Sequence, residues 1–131
     1  MNPMKILIVD DEPHLRMLIQ QTLEELEDDG VELFTAKDGE EALATIQAEL
    51  PNLVFLDVMM PRKNGFDVCN AVKNELGLSH IHIILLTAKG QEFDRQRGQE
   101  VGADLYMTKP FDPDALLAKA RSVLGLAASG V

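Results

Sequence analysis

The chain has 131 residues, 46% of them apolar and 26% charged, with 12 Lys and Arg against 22 Asp and Glu for a formal charge of −10. This length suits one domain with one core, and the acidic balance argues against nucleic acid or an anionic membrane as a direct partner. The single Cys69 excludes an internal disulfide, only five Phe, one Tyr and no Trp argue against a stacking platform for bases, and no run approaches the ~18 apolar residues of a membrane span or the order of a signal peptide; a soluble, cytoplasmic protein is expected.

Along the chain, Lys5 to Val9 (KILIV) predicts a first strand, and Leu15, Leu18, Ile19 and Leu26 then recur at helical offsets. Val31 to Ala36 alternates like an edge strand, and Asp38 with Glu41 three residues on is a capping box with Asp in place of Ser, opening a second helix. Leu53 to Leu56 is a third strand, followed by a third helical stripe at Phe66, Cys69, Val72 and Leu76. Ile81 to Leu86 is a fourth. The stretch 91–101 makes a poor fourth helix, because its only large apolar residues are Phe93 and Val101 and Gly98 costs about 1 kcal/mol relative to Ala. Leu105 to Met107 is a short fifth strand, and Asp112-Pro113 starts a fifth helix striped by Leu116, Leu117, Ala120, Val123 and Leu124.

Short, continuous runs of branched residues are the mark of parallel strands covered on both faces. Five strands in strict alternation with five helices predict an α/β fold, a doubly wound five-stranded parallel sheet of order 2-1-3-4-5, over residues 1–125. Residues 126–131 are expected to be a flexible tail or the start of a linker.

In such sheets the site lies beyond the carboxyl ends of the strands. There the sequence places Asp10 and Asp11, Asp57, Thr87, and Lys109-Pro110 two residues beyond Met107. Two like charges ~4 Å apart at an effective dielectric near 20 repel by about 4 kcal/mol, so three close carboxylates call for positive charge. An all-oxygen set suits Mg²⁺, with Mn²⁺ as a substitute, and a backbone carbonyl after Asp57 could complete it; Lys109 adds a second positive charge. With Lys109 and the Thr87 hydroxyl opposite, Asp57 is laid out to attack phosphorus and carry an aspartyl phosphate. Taken singly, Asp11 reads equally well as the cap of the first helix and Asp10 as a solvated turn residue, Thr87 as an ordinary strand-end hydroxyl, Tyr106 as a core or rim aromatic and Lys109 as an exposed turn lysine. His14, His80 and His82 lack ligand spacing and read as surface imidazoles, and Cys69 as packing.

The segments KILIVDDE (5–12), LVFLDVMMPRKNG (53–65), ILLTAK (84–89) and GADLYMTKPF (102–111) together resemble the receiver domain of two-component response regulators, the family of the bacterial chemotaxis regulator, over roughly residues 4–125. The resemblance implies the CheY-like, flavodoxin-like sheet. It also implies that Asp57 receives phosphate from a sensor histidine kinase or phosphotransfer protein, that Asp10 and Asp11 hold Mg²⁺ with it, and that Met59 lends a backbone carbonyl to the metal. It further makes Thr87 and Tyr106 a switch that alters the face of the fourth helix, fifth strand and fifth helix for a downstream protein or a second copy, and makes the Lys109-Pro110 bond cis. Such a module catalyses its own phosphorylation and dephosphorylation and turns over no substrate. Asn64, where the family often has Asp, and the polar fourth helix are mild departures that bear on partner choice.

Three competing readings can be tested. A flavin-binding electron carrier of the same sheet order would need a hydroxyl- or Gly-rich cradle where DDEP stands. A haloacid-dehalogenase-type hydrolase would need two Asp separated by one residue and a cap insertion. A receiver fragment of a longer regulator with a DNA-binding or enzymatic effector stays open alongside the stand-alone module.

Overall fold

In a computed structural model, which describes residues 3–60, 63–88, 97, 99–109 and 111–126, the apolar runs become β1 (Lys5–Val9), β2 (Glu32–Ala36), β3 (Leu53–Asp57), β4 (His82–Ala88) and β5 (Leu105–Lys109). All pairings are parallel, and the order is β2-β1-β3-β4-β5. Three helices are α1 (Pro13–Leu23), α2 (Gly39–Glu49) and α3 (Gly65–Asn70). Residues 97 and 99–101 are helical and fall where the fourth helix, α4, is expected, and α5 spans Pro113–Leu124. The expected helix over 91–101 otherwise lies outside the described residues, as do Lys89, Pro110 with its peptide bond to Lys109, and the tail at 127–131.

Strict alternation along the central strands divides the core in two. Leu7, Val9, Val54, Leu56, Ile83 and Leu85 pack with α2 and α3, while Ile6, Ile8, Leu53, Phe55, Ile84 and Leu86 pack with α1 and α5. Both faces are therefore dry, which is why these strands read as unbroken apolar runs. Among the described residues no helix is long and apolar enough to cross a membrane.

The strand ends differ from the sequence reading in a way that matters for the site. β4 starts one residue later, at His82, and runs to Ala88, and β5 continues past Met107 to Lys109, so Lys109 is the last residue of a strand and not part of the following turn. The ladder Thr87↔Thr108 and Ala88↔Lys109 holds Thr87, Thr108 and Lys109 in strand geometry, beyond the apolar runs that end at Leu86 and Met107.

Helix stripes shift for a similar reason. After α1 the chain tightens into a 3₁₀ turn over Glu24–Asp29, which stacks Leu26 three residues after Leu23 and buries both, whereas Leu18 is 43% exposed. α3 widens into a π turn over Ala71–Glu75, with the Leu76 N–H donating to the Ala71 carbonyl five residues back at 2.8 Å. The extra residue in that turn rotates Leu76 off the buried stripe of Phe66, Cys69 and Val72, leaving it 41% exposed.

Helix starts follow the sequence signals. The Asp38 carboxylate accepts from the Glu41 N–H at 2.8 Å, and Asp112 caps α5 with Pro113 in its first turn. Phe55, wholly buried in the central strand, carries the α1–α5 side of the core: Phe55→Ala is expected to lower unfolding free energy by about 3–5 kcal/mol in urea titrations, and a loss under about 1 kcal/mol would show that this core collapses onto the void.

Candidate functional site

Three strands of the sheet deliver charge to one rim. Asp10 follows the last residue of β1 and is wholly buried, with its N–H donating to the Ala36 carbonyl at 3.2 Å and its Oδ1 accepting from the Glu12 N–H at 2.9 Å. Asp57 ends β3 and is 4% exposed; its Oδ1 accepts from the Met59 N–H at 3.3 Å. Asp11 lies between α1 and β1, exposed to solvent. Each of the three offers a carboxylate oxygen within 4.8 Å of the others. From β5 the Lys109 ammonium reaches over, donating to Asp10 Oδ2 at 3.1 Å and to Asp57 Oδ1 at 3.0 Å.

The cap of α1 is Glu12 and not Asp11. The Glu12 carboxylate accepts from the N–H groups of His14 (3.0 Å) and Leu15 (2.8 Å), and these bonds hold its pKa below the usual value. One acid of the DDE run is thus committed to the helix, which leaves Asp11 for the acidic cluster.

Burial and the neighbouring charge of Asp10 push the Asp57 carboxyl up to about 6, against the opposing pull of Lys109. Burial alone would lower the Lys109 pKa, but its bond to Asp57 and the charges of Asp57 and Asp10 outweigh that and raise it. One ammonium faces three acids, so the site carries excess negative charge in a set of hard oxygen donors. Such a set fits a divalent cation of the Mg²⁺ or Mn²⁺ kind, which Asp10, Asp11 and Asp57 could hold.

Thr87, 7% exposed, is the penultimate residue of β4 and continues the face of Ile83 and Leu85. Tyr106 is half-buried against that same core, in register with Leu85 on the neighbouring strand. Met59 is 62% exposed beside Asp57. His14 and His80 are exposed, while His82 is half-buried with Nε2 sealed from solvent and unpartnered among the described residues, which corrects the surface reading for that residue. Cys69 is buried, its thiol pushed up to about 12 by burial, as a packing residue requires.

Sequence reasoning missed the glycine under the acidic residue. A Cβ on Gly65 would stand 2.4 Å from the Asp57 carbonyl oxygen, and the Gly65 N–H donates to the Val58 carbonyl at 2.8 Å. Gly39, at the start of α2, makes an equally close approach, its Cβ position 2.2 Å from the Lys63 carbonyl. Both glycines let neighbouring elements close on the loop after Asp57. The only sequence signal was Gly in the first turn of a helix, where it is an ordinary residue.

Two outcomes follow from this geometry. Gly65→Ala should displace the Asp57 backbone, lowering stability by about 2 kcal/mol or more in thermal melts and slowing any chemistry at Asp57. In metal-free buffer the raised pKa of Asp57 contributes stability below 3.8, the unfolded value, and that contribution is lost as pH rises through about 6. Asp57→Asn should therefore stabilise the metal-free protein at neutral pH, by about 1–2 kcal/mol after allowance for solvent screening, with no gain at pH 3.5; equal gains at both values would point to another cause.

Comparison with known proteins places this rim in a family. Residues 6–121 match the family model of the response regulator receiver domain. The chain is 50% identical over 123 residues to a protein described as a probable transcriptional regulator, ycf27, of Cyanophora paradoxa, covering 94% of this chain and 49% of the relative. It is 44% identical to the alkaline phosphatase synthesis transcriptional regulatory protein PhoP of Bacillus subtilis, covering 92% and 48%. The chain thus spans about half the length of these curated relatives. Among solved structures, the chemotaxis response regulator CheY4 of Vibrio cholerae superposes with a TM-score of 0.80 at 35% identity, over 93% of this chain and 99% of that one. With its sheet order, its acidic rim and the family match over most of its length, the chain belongs to the response regulator receiver domains of two-component phosphorelay signalling.

Proposed function

We propose that Asp57 accepts a phosphoryl group from the phosphohistidine of a sensor histidine kinase or phosphotransfer protein. The observation that carries this reading is the Lys109 ammonium bonded to both Asp10 and Asp57 within a cluster of three carboxylates. An Asp57 oxygen attacks phosphorus, the P–N bond of the donor breaks, and its electron pair leaves on the imidazole nitrogen. Asp57 needs no base, because its carboxyl is ionised once pH exceeds about 6. Water later attacks the same phosphorus, the Asp57 O–P bond breaks with its electron pair returning to the carboxylate, and inorganic phosphate leaves, so the module dephosphorylates itself and turns over no external substrate.

Asp10, Asp11, Asp57 and the Met59 backbone carbonyl would hold Mg²⁺, with Mn²⁺ as a substitute. When bound, the ion neutralises the charge that gathers on the phosphoryl oxygens. Lys109 and the Thr87 hydroxyl each meet another of those oxygens. As the Thr87 hydroxyl turns toward phosphate it vacates space on the face it shares with Tyr106, whose ring moves inward and changes the α4–β5–α5 face for a downstream protein or a second copy. Residues 1–125 make up this module, acting in the cytoplasm without direct contact to nucleic acid or membrane.

A second reading is that the chain is the receiver part of a longer regulator with a DNA-binding or enzymatic effector. It is favoured by the half-length cover of relatives described as transcriptional regulators.

Incubation with acetyl phosphate and Mg²⁺, followed by intact-mass spectrometry, tests the phosphoacceptor. The protein should gain one phosphoryl group that is labile to hydroxylamine, Asp57→Asn and EDTA should abolish the gain, and Lys109→Ala should slow it by about 100-fold. Phosphorylation that persists in Asp57→Asn would overturn the assignment.

A further inference from the structure

We propose that Arg16 is a positioning residue for the divalent cation, acting by fixing the peptide that joins Asp10 to Asp11; this rests on the metal reading above. Arg16 is the fourth residue of α1, in its first turn. A cation there opposes the positive end of the helix dipole, so its placement has another cause.

In a helix the Cα–Cβ bonds tilt toward the N-terminus. The long Arg16 side chain therefore runs back past the start of α1, and its Nη1 donates to the Asp10 carbonyl oxygen at 2.7 Å. That carbonyl lies one residue beyond the end of β1, on a residue wholly buried. Every polar group of Asp10 is then engaged: N–H by Ala36, Oδ1 by Glu12, Oδ2 by Lys109 and the carbonyl by Arg16.

The Arg16 bond differs from the other three in what it controls. The Asp10 carbonyl belongs to the same planar peptide as the Asp11 N–H, so holding that oxygen sets the torsions on both sides, ψ of Asp10 and φ of Asp11. These torsions aim the Asp11 carboxylate. Asp11 is exposed and outside the strand ladder, so no ladder bond fixes its backbone, and the peptide plane helps to bring its oxygen within 4.8 Å of Asp10 and Asp57. Arg16 thus touches neither the cation nor phosphate and works through the ligand backbone.

The test is Mg²⁺ binding by calorimetry and by MgCl₂ titration of the amide spectrum, in the parent and in Arg16→Ala, together with acetyl phosphate labelling rates across Mg²⁺ concentrations. Loss of an outer partner of a metal ligand typically weakens metal affinity 10–100-fold. Arg16→Ala should show a Kd for Mg²⁺ raised by about that factor, a displaced Asp11 amide signal before any Mg²⁺ is added, and the parent labelling rate once Mg²⁺ saturates. The weakened affinity should persist in about 1 M KCl, where a long-range charge effect is screened.

A folded Arg16→Ala that binds Mg²⁺ like the parent, or whose deficit disappears in high salt, overturns the proposal. If Arg16→Ala does not fold, Arg16→Lys, which lacks the planar fork, should still shift the Asp11 amide and weaken Mg²⁺ binding, and parent values for both would overturn it. A parent protein that takes up no Mg²⁺ overturns the metal reading itself, a result distinct from normal binding in the variants.

Discussion

A lysine on the last strand reaching two acids at the carboxyl ends of the first and third is the interaction on which the site depends. Asp10, Asp57 and Asp11 crowd within 4.8 Å of one another, a separation at which each like-charged pair repels by several kcal/mol when partly shielded from water. Lys109 relieves two of them at 3.1 and 3.0 Å. Burial first, and the charge of Asp10 after it, still hold the Asp57 pKa above its usual value against the pull of Lys109. The rim is therefore a cluster of hard oxygen donors, only partly neutralised by Lys109, that could hold a metal ion.

The scaffold contributes more than placement. α1, α2, α3 and α5 begin with side-chain caps at Glu12, Asp38, Asn64 and Asp112, and in parallel βα units each helix starts just past the carboxyl end of a strand. Their N-termini gather on the same side of the sheet as the acids, and the partial positive charge there offsets part of the acidic charge of the rim. The dry core on both sheet faces holds the strand ends in register, so Asp57, Thr87 and Lys109 cannot drift apart without disrupting β-ladder bonds. Gly65 and Gly39 close the remaining side by letting α3 and α2 press against the loop after Asp57.

Local signals determined much of this protein. Unbroken branched runs specify strands covered on both faces, the caps at Asp38 and Asp112 specify two helix starts, and strict alternation with right-handed crossovers leaves few strand orders besides 2-1-3-4-5. Strand-end polarity in that order brought Asp10, Asp11, Asp57, Thr87 and Lys109 to one rim before any coordinates. These features are legible because they depend on short-range periodicity and on one topological rule.

Tertiary structure alone decided the rest. That Glu12 and not Asp11 caps α1, that β5 runs on through Lys109, that a π turn turns Leu76 outward, and that Arg16 bends back to the Asp10 carbonyl all depend on which groups compete for the same few backbone partners. Gly65 matters because a carbonyl from another element stands 2.4 Å from where its Cβ would be. Sequence patterns report which faces are apolar and where helices start; they carry no information on close approaches between elements distant along the chain, because those distances arise only when the layers pack.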